Sequence, residues 1–182
     1  MKIYIIRHGQ TDLNIQRRMQ GRKGLPLNAT GIKQAESLAA KLRGICFAAV
    51  YSSPQERALQ TAEIALGLPR GAIATDERLQ PYDVGSADNL LIDENMHLLK
   101  GLLPDPAFYS GVEDVSAFVK RVFGFMEELK RRYGGSDVNV AVAGHKCTTG
   151  CIDCWLRGMP DDGDFFSRSV GNGDCRVYEI KD

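Results

Sequence analysis

The feature that most restricts what this chain can fold into is an alternation: short apolar runs take turns with longer segments whose apolar residues recur at helical spacing. That is the pattern of an α/β protein with a mainly parallel sheet. Residues 2–6 (KIYII), 47–51 (FAAVY) and 138–143 (VNVAVA) read as buried strands, 72–75 as a short strand and 176–180 as a final one. Ile32, Ala35, Leu38, Ala39 and Leu42 fall on one helical face, with Gly44 as the stop, and 112–132 reads as a long helix. Ser53-Pro54-Gln55-Glu56 predicts a helix start in which Ser53 caps, Pro54 takes the first helical position and Glu56 closes a capping box. This helix should end near Gly67 and Pro69. Residues 80–110 have weak periodicity and several prolines, and read as an irregular excursion over one face.

The 182 residues, 43% of them apolar, fit one domain spanning 1–182 with a core large enough to fold without disulfides or a metal. No run approaches the roughly 20 apolar residues of a membrane span. The N-terminal run meets Arg7 after four apolar residues, so neither a membrane protein nor a signal-bearing precursor is expected. The five cysteines are an odd number without the framework of a secreted scaffold, which points to a reducing cytoplasm. Basic and acidic residues both total 23, so the whole molecule has no long-range attraction for nucleic acid or acidic membranes. Their distribution is uneven. Residues 1–60 carry ten bases against three acids, and 76–114 carry nine acids against two bases. A cationic N-terminal third in a neutral protein suits a small anionic ligand.

In open α/β sheets, ligands bind where loops leave the carboxyl ends of the strands. The strand at 2–6 runs into Arg7-His8-Gly9, the strand at 47–51 into the helix whose first turn carries Arg57, and the strand at 138–143 into Gly144-His145. Two histidines and two arginines therefore leave one edge of the sheet. Arginine's planar fork matches phosphate oxygens, and a histidine beside such a cluster can attack phosphorus and carry the phosphoryl group. Arg7, Arg57 and His145 would meet the developing charge in place of a metal.

The run Arg7-His8-Gly9-Gln10-Thr11-Asp12-Leu13-Asn14 resembles the signature of the histidine phosphatase superfamily, also called the phosphoglycerate mutase-like family. The likeness continues in order through Gln20-Gly21-Arg22, Pro26-Leu27-Asn28, Gly31, Ser52-Ser53-Pro54, Arg57-Ala58, Gln60-Thr61-Ala62, Gly111-Val112-Glu113-Asp114, His145 and Asn172-Gly173. The resemblance implies a three-layer α/β/α sandwich in which His8 is the phosphorylated nucleophile. It also implies that Arg7, Arg57 and His145 complete the phosphate pocket, that Asn14 lies beside it, and that Gln20 and Gly21 face the substrate.

Two departures bear on the chemistry. Family members that cleave alkyl phosphates usually carry a general-acid glutamate in a Leu-x-Glu-x-x-x-Gly segment; this chain reads Leu79-Gln80-Pro81-Tyr82-Asp83-Val84-Gly85, with Pro81 in the acid's place. Losing a positioned acid typically costs about 10² to 10⁴ in rate, most where the leaving alkoxide is poor. Asp83 is the nearest replacement, with Glu77 and Asp88 weaker candidates, and the tryptophan-glutamate-glycine that often follows is replaced by Ala87-Asp88-Asn89. The second departure is Lys146, which follows His145 where the family usually has glycine and adds a cation near the pocket.

Several of these residues also have a purely structural reading, Arg57 as a surface arginine among them. Either histidine alone could be a hydrogen-bonded structural residue, and Arg17, Arg18, Arg22 and Lys23 could be a solvated face or could guide substrate approach. His97 has no identifiable partner and reads as structural. Cys147-x-x-x-Cys151-x-x-Cys154 has a spacing similar to the iron–sulfur motif of radical S-adenosylmethionine enzymes. These positions share one helical face, where free cysteines pack as small apolar residues, and no clear fourth ligand suggests zinc. The expectation is a phosphatase acting on a small phosphomonoester through phosphohistidine, without cofactor or metal. The alternatives are a degenerate phosphate-binding protein, a phosphoglycerate mutase, or a phosphohistidine or acyl-phosphate phosphatase.

Overall fold

A computed structural model of the chain describes residues 1–22, 25–95, 99–100 and 103–180. In chain order the elements are β1 (Lys2–Arg7), α1 (Asp12–Ile15), α2 (Ala29–Leu42), β2 (Ala49–Ser52), α3 (Glu56–Leu66), β3 (Ala74–Thr75), α4 (Ile92–Asn95), β4 (Leu99–Lys100), β5 (Leu103–Pro104), α5 (Val115–Tyr133), β6 (Asn139–Gly144), α6 (Lys146–Arg157) and β7 (Cys175–Glu179). Five strands form the central sheet in the order β3-β2-β6-β1-β7, with every pairing parallel except β1 with β7. Lys23 and His97 lie outside the described residues.

Side chains alternate across each strand, which divides the buried residues between two layers. Ile3, Ile5, Val140 and Val142 join a cluster with Phe118, Val122, Phe125, Met126 and Leu129 of α5 and with α6. Tyr4, Ile6, Ala141 and Ala143 pack on the opposite face against Leu38 and Leu42 of α2 and Leu59, Ala62 and Ala65 of α3. The stripe Phe118, Val122 and Met126 is fully buried at i, i+4 and i+8. Each such side chain contributes roughly 1.5–3 kcal/mol of transfer free energy.

Local details depart from the sequence pattern in three places. The α3 helix starts at Glu56 with Gln55 as its N-cap, so Ser53 does not cap it. Gly67 ends α3 in the left-handed region at φ 63°, where a side chain would be strained. Ile32 is 41% exposed, and the buried stripe of α2 is instead Gly31, Ala35, Leu38 and Leu42. The long helix starts at Val115, because the Asp114 carboxylate accepts the Ala117 N–H at 2.9 Å as its cap and leaves Val112 outside. Cys147, Cys151 and Cys154 are buried in the core on one face of α6. Among the described residues no helix is long and apolar enough to cross a membrane.

Candidate active site

Parallel pairing of β1 with β6 sets Arg7 opposite Gly144, so the residues that follow, His8 and His145, leave neighbouring strands at the same edge. The His8 N–H donates to the Gly144 carbonyl at 3.0 Å, and the two imidazole centroids lie 5.2 Å apart. The loop after β1 is held by close backbone approach. A Cβ on Gly9 would sit 2.5 Å from the Gly31 carbonyl oxygen, and one on Gly31 would sit 2.2 Å from that of Gln10. Only glycine allows the first turn of α2 to come this near. From the other side, the Gly173 N–H and the Asn172 amide both donate to the His8 carbonyl at 3.1 Å.

His8 Nδ1 lies 2.7 Å from the Gly9 carbonyl. A carbonyl can only accept, so Nδ1 carries the proton and the Nε2 lone pair is left free. His145 Nε2 lies 2.8 Å from Ser53 Oγ, while its buried Nδ1 has no hydrogen-bond partner among the described residues. If the serine hydroxyl donates, Nδ1–H of His145 becomes a donor available to a ligand. Ser53, read from sequence as a helix cap, is thus a support of His145. The proline after it gave the misleading signal.

Arg7 and Arg57 supply fixed positive charge. Arg7 donates to the Val170 carbonyl at 3.0 Å and keeps a buried Nε without a partner; Arg57, 1% exposed, donates to the Gly21 carbonyl at 2.9 Å. Burial draws both guanidinium pKa values down to about 10, which leaves them charged at neutral pH. Burial, then the nearby Arg57, pushes both imidazoles well below their ordinary value near 6.5, so both are neutral.

These residues line a cavity of about 190 Å³ together with Asn14, Arg18, Gln20 and Lys146. Pro81, Tyr82, Val84, Ile92, Leu103, Met19 and Phe166 form its apolar side. The lining holds four cations and, among the described residues, no carboxylate. Residues 80–110, legible in the sequence only as an excursion, provide most of the apolar wall. Arg121 of α5 fixes that segment: it donates to the carbonyls of Arg78, Gln80 and Pro81 at 2.7–3.0 Å and to the Glu113 carboxylate at 2.7 and 2.9 Å. No local signal announces the grip on the three carbonyls, because it joins residues about forty positions apart.

Of the residues singled out from sequence, Arg7, His8, Asn14, Gln20, Arg57 and His145 share the cavity. Gln20 exchanges hydrogen bonds with Thr11 Oγ1, and Asn14 accepts the Thr11 N–H at 3.1 Å. Gly21 is not among the lining residues; its carbonyl holds Arg57 and its N–H donates to Asp88 at 3.2 Å. Asp83 is not among them either. Its carboxylate faces Arg22 at 3.5 Å and accepts the Gly85 N–H at 3.0 Å. Glu77 is exposed and bonded to Gln80. Arg18 lines the cavity, whereas Arg17 is exposed and paired with Asp93.

Residues 3–182 match the family described as histidine phosphatase superfamily (branch 1). The chain is 36% identical over 166 residues to the protein named Probable phosphoglycerate mutase GpmB in Yersinia pestis, covering 88% of this chain and 76% of that one. An 85-residue stretch is 38% identical to the protein of the same name in Proteus mirabilis, spanning 47% of this chain and 40% of that one. Among solved structures, the alpha-ribazole phosphatase from Shigella flexneri superposes with a TM-score of 0.81 at 25% identity, covering 100% of this chain and 91% of the other.

Proposed function

Because the chain belongs to the histidine phosphatase superfamily (branch 1), we propose that it hydrolyses a small phosphomonoester or related phosphate, without a metal cofactor, through a phosphohistidine on His8. The observation that supports this reading best is the pairing of a free Nε2 on a neutral His8 with a cavity whose charged lining, among the described residues, is cationic. His8 Nε2 attacks phosphorus, and the P–O bond to the leaving group breaks. Arg7, Arg57 and His145 Nδ1–H meet the charge on the equatorial oxygens, while the Gly9 carbonyl stabilises the cationic ring through its Nδ1–H. Water then attacks the phosphohistidine, the P–N bond breaks and phosphate leaves. Asn14 and Gln20 orient the departing half of the substrate.

The test is a panel of acyl, aryl and alkyl phosphates offered to the purified protein with and without a chelator. Phosphate release unaffected by the chelator is the expected outcome. Absence of release together with absence of a phosphorylated protein would make this a binding protein and overturn the reading. Interconversion of phosphoglycerate isomers faster than release would replace it with a mutase.

A further inference from the structure

Among the described residues the lining of the cavity holds no carboxyl acid, and it holds an ammonium without an ion-pair partner. Lys146 is the first residue of α6, where a cation opposes the positive end of the helix and loses stability unless an anion compensates it. It is half-buried and lines the same cavity as His8 and Pro81. Its ammonium lies 5.8 Å from the Phe166 ring centroid, and among the described residues no carboxylate is within ion-pair distance. The charged and titratable groups around it are Arg7 from β1, Asp164 from the turn before Phe165, the neighbouring Cys147, and the Arg18, Arg57 and histidine side chains of the cavity. Burial, followed by Arg7, lowers its pKa from the ordinary ammonium range, which makes its proton easier to give up.

We propose that Lys146 is the proton donor to the leaving oxygen, filling the role that Pro81 leaves vacant beside the phosphate pocket. This rests on the phosphatase reading above. As the bond from phosphorus to the leaving oxygen breaks and the bond to His8 Nε2 forms, one proton passes from the Lys146 ammonium to that oxygen, releasing an alcohol. In the second half-reaction the neutral amine accepts a proton from the attacking water. The P–N bond breaks, and both side chains return to their starting states. The substrate class that follows is wider than activated phosphates alone: esters of poor, alkyl leaving groups are also cleaved.

The experiment compares kcat/KM of wild type, Lys146→Met, Lys146→Arg and Asp83→Asn on an aryl phosphate with a good leaving group and on an alkyl phosphate, from pH 5 up through the ordinary ammonium range. Lys146→Met should lose about 10²-fold more kcat/KM on the alkyl ester than on the aryl ester. An unfolding curve like that of the wild type shows that the variant is folded. Its alkyl profile should also lose the alkaline limb, because a general acid works only while protonated. Lys146→Arg keeps the charge but does not release a proton, and should resemble Lys146→Met. Alkyl activity restored by arginine would reduce Lys146 to an anion-binding charge and overturn the proposal. So would equal losses on both esters, or a selective alkyl loss in Asp83→Asn with Lys146→Met unaffected. A wild-type protein that turns over neither ester and forms no phosphoenzyme removes the phosphatase reading and this one together; turnover with any of the preceding results removes this one alone.

Discussion

His8→Ala is expected to lower turnover of every phosphate substrate by on the order of 10⁴-fold or more and to abolish phosphoenzyme formation. The size of the effect follows from the route. A covalent intermediate divides one difficult displacement into two, and without the nucleophile both halves disappear. Water cannot readily substitute, since among the described residues no carboxylate lines the cavity to activate it. Phosphate should still bind, because Arg7, Arg57 and His145 keep their own anchors in Val170, Gly21 and Ser53. Rapid-quench labelling and a phosphate-binding titration check the two halves of this expectation. A His8→Ala protein that still carried acid-labile phosphate would place the nucleophile elsewhere.

Acid should destabilise the ligand-free protein well before its carboxylates titrate. The folded state holds His8 and His145 neutral, with pKa values well below the roughly 6.5 of an unfolded chain, so below that pH the unfolded state binds more protons. The corresponding stability is complete above about pH 6.5 and declines as pH falls toward the folded values. The loss grows as pH falls from about 6.5 to 5, and both histidines contribute to it with the same sign. Saturating inorganic phosphate should reduce it, since a bound anion favours the protonated rings. Urea unfolding at pH 7, 6 and 5, with and without phosphate, reads both effects. Equal stability at all three pH values would mean that the imidazoles are not held in a cationic, buried pocket.

The sequence carried the sheet edge well because the relevant information is local. KIYII and VNVAVA are apolar enough to be strands, and in a parallel pair the residues after them emerge together, so His8 and His145 could be brought close without knowing any contact between them. Ser53 was misread because Ser-Pro-x-Glu satisfies a capping pattern, whereas the hydroxyl is engaged by His145, ninety-two positions away, and the chain turns helical only at Glu56. Ile32 follows the helical period of its neighbours yet lies at the rim of the stripe. The apolar wall was the least legible part. Tyr82, Val84, Ile92 and Leu103 have no shared periodicity, and the first three are placed by the grip of Arg121 on the 78–81 backbone and by the Arg18–Leu91 and Val84–Val112 bridges. Asp83 shows the limit of proximity along the chain. Two residues from Pro81, it turns to Arg22 and is not among the residues lining the cavity.

His8, Arg7, Arg57 and His145 are expected to gather a single oxyanion, which a crystal structure of the protein soaked in vanadate would show. The expected result is one vanadate centred within bonding reach of His8 Nε2, its equatorial oxygens contacted by both guanidinium groups and by His145 Nδ1. Vanadate bound away from His8, or held without either arginine, would contradict it.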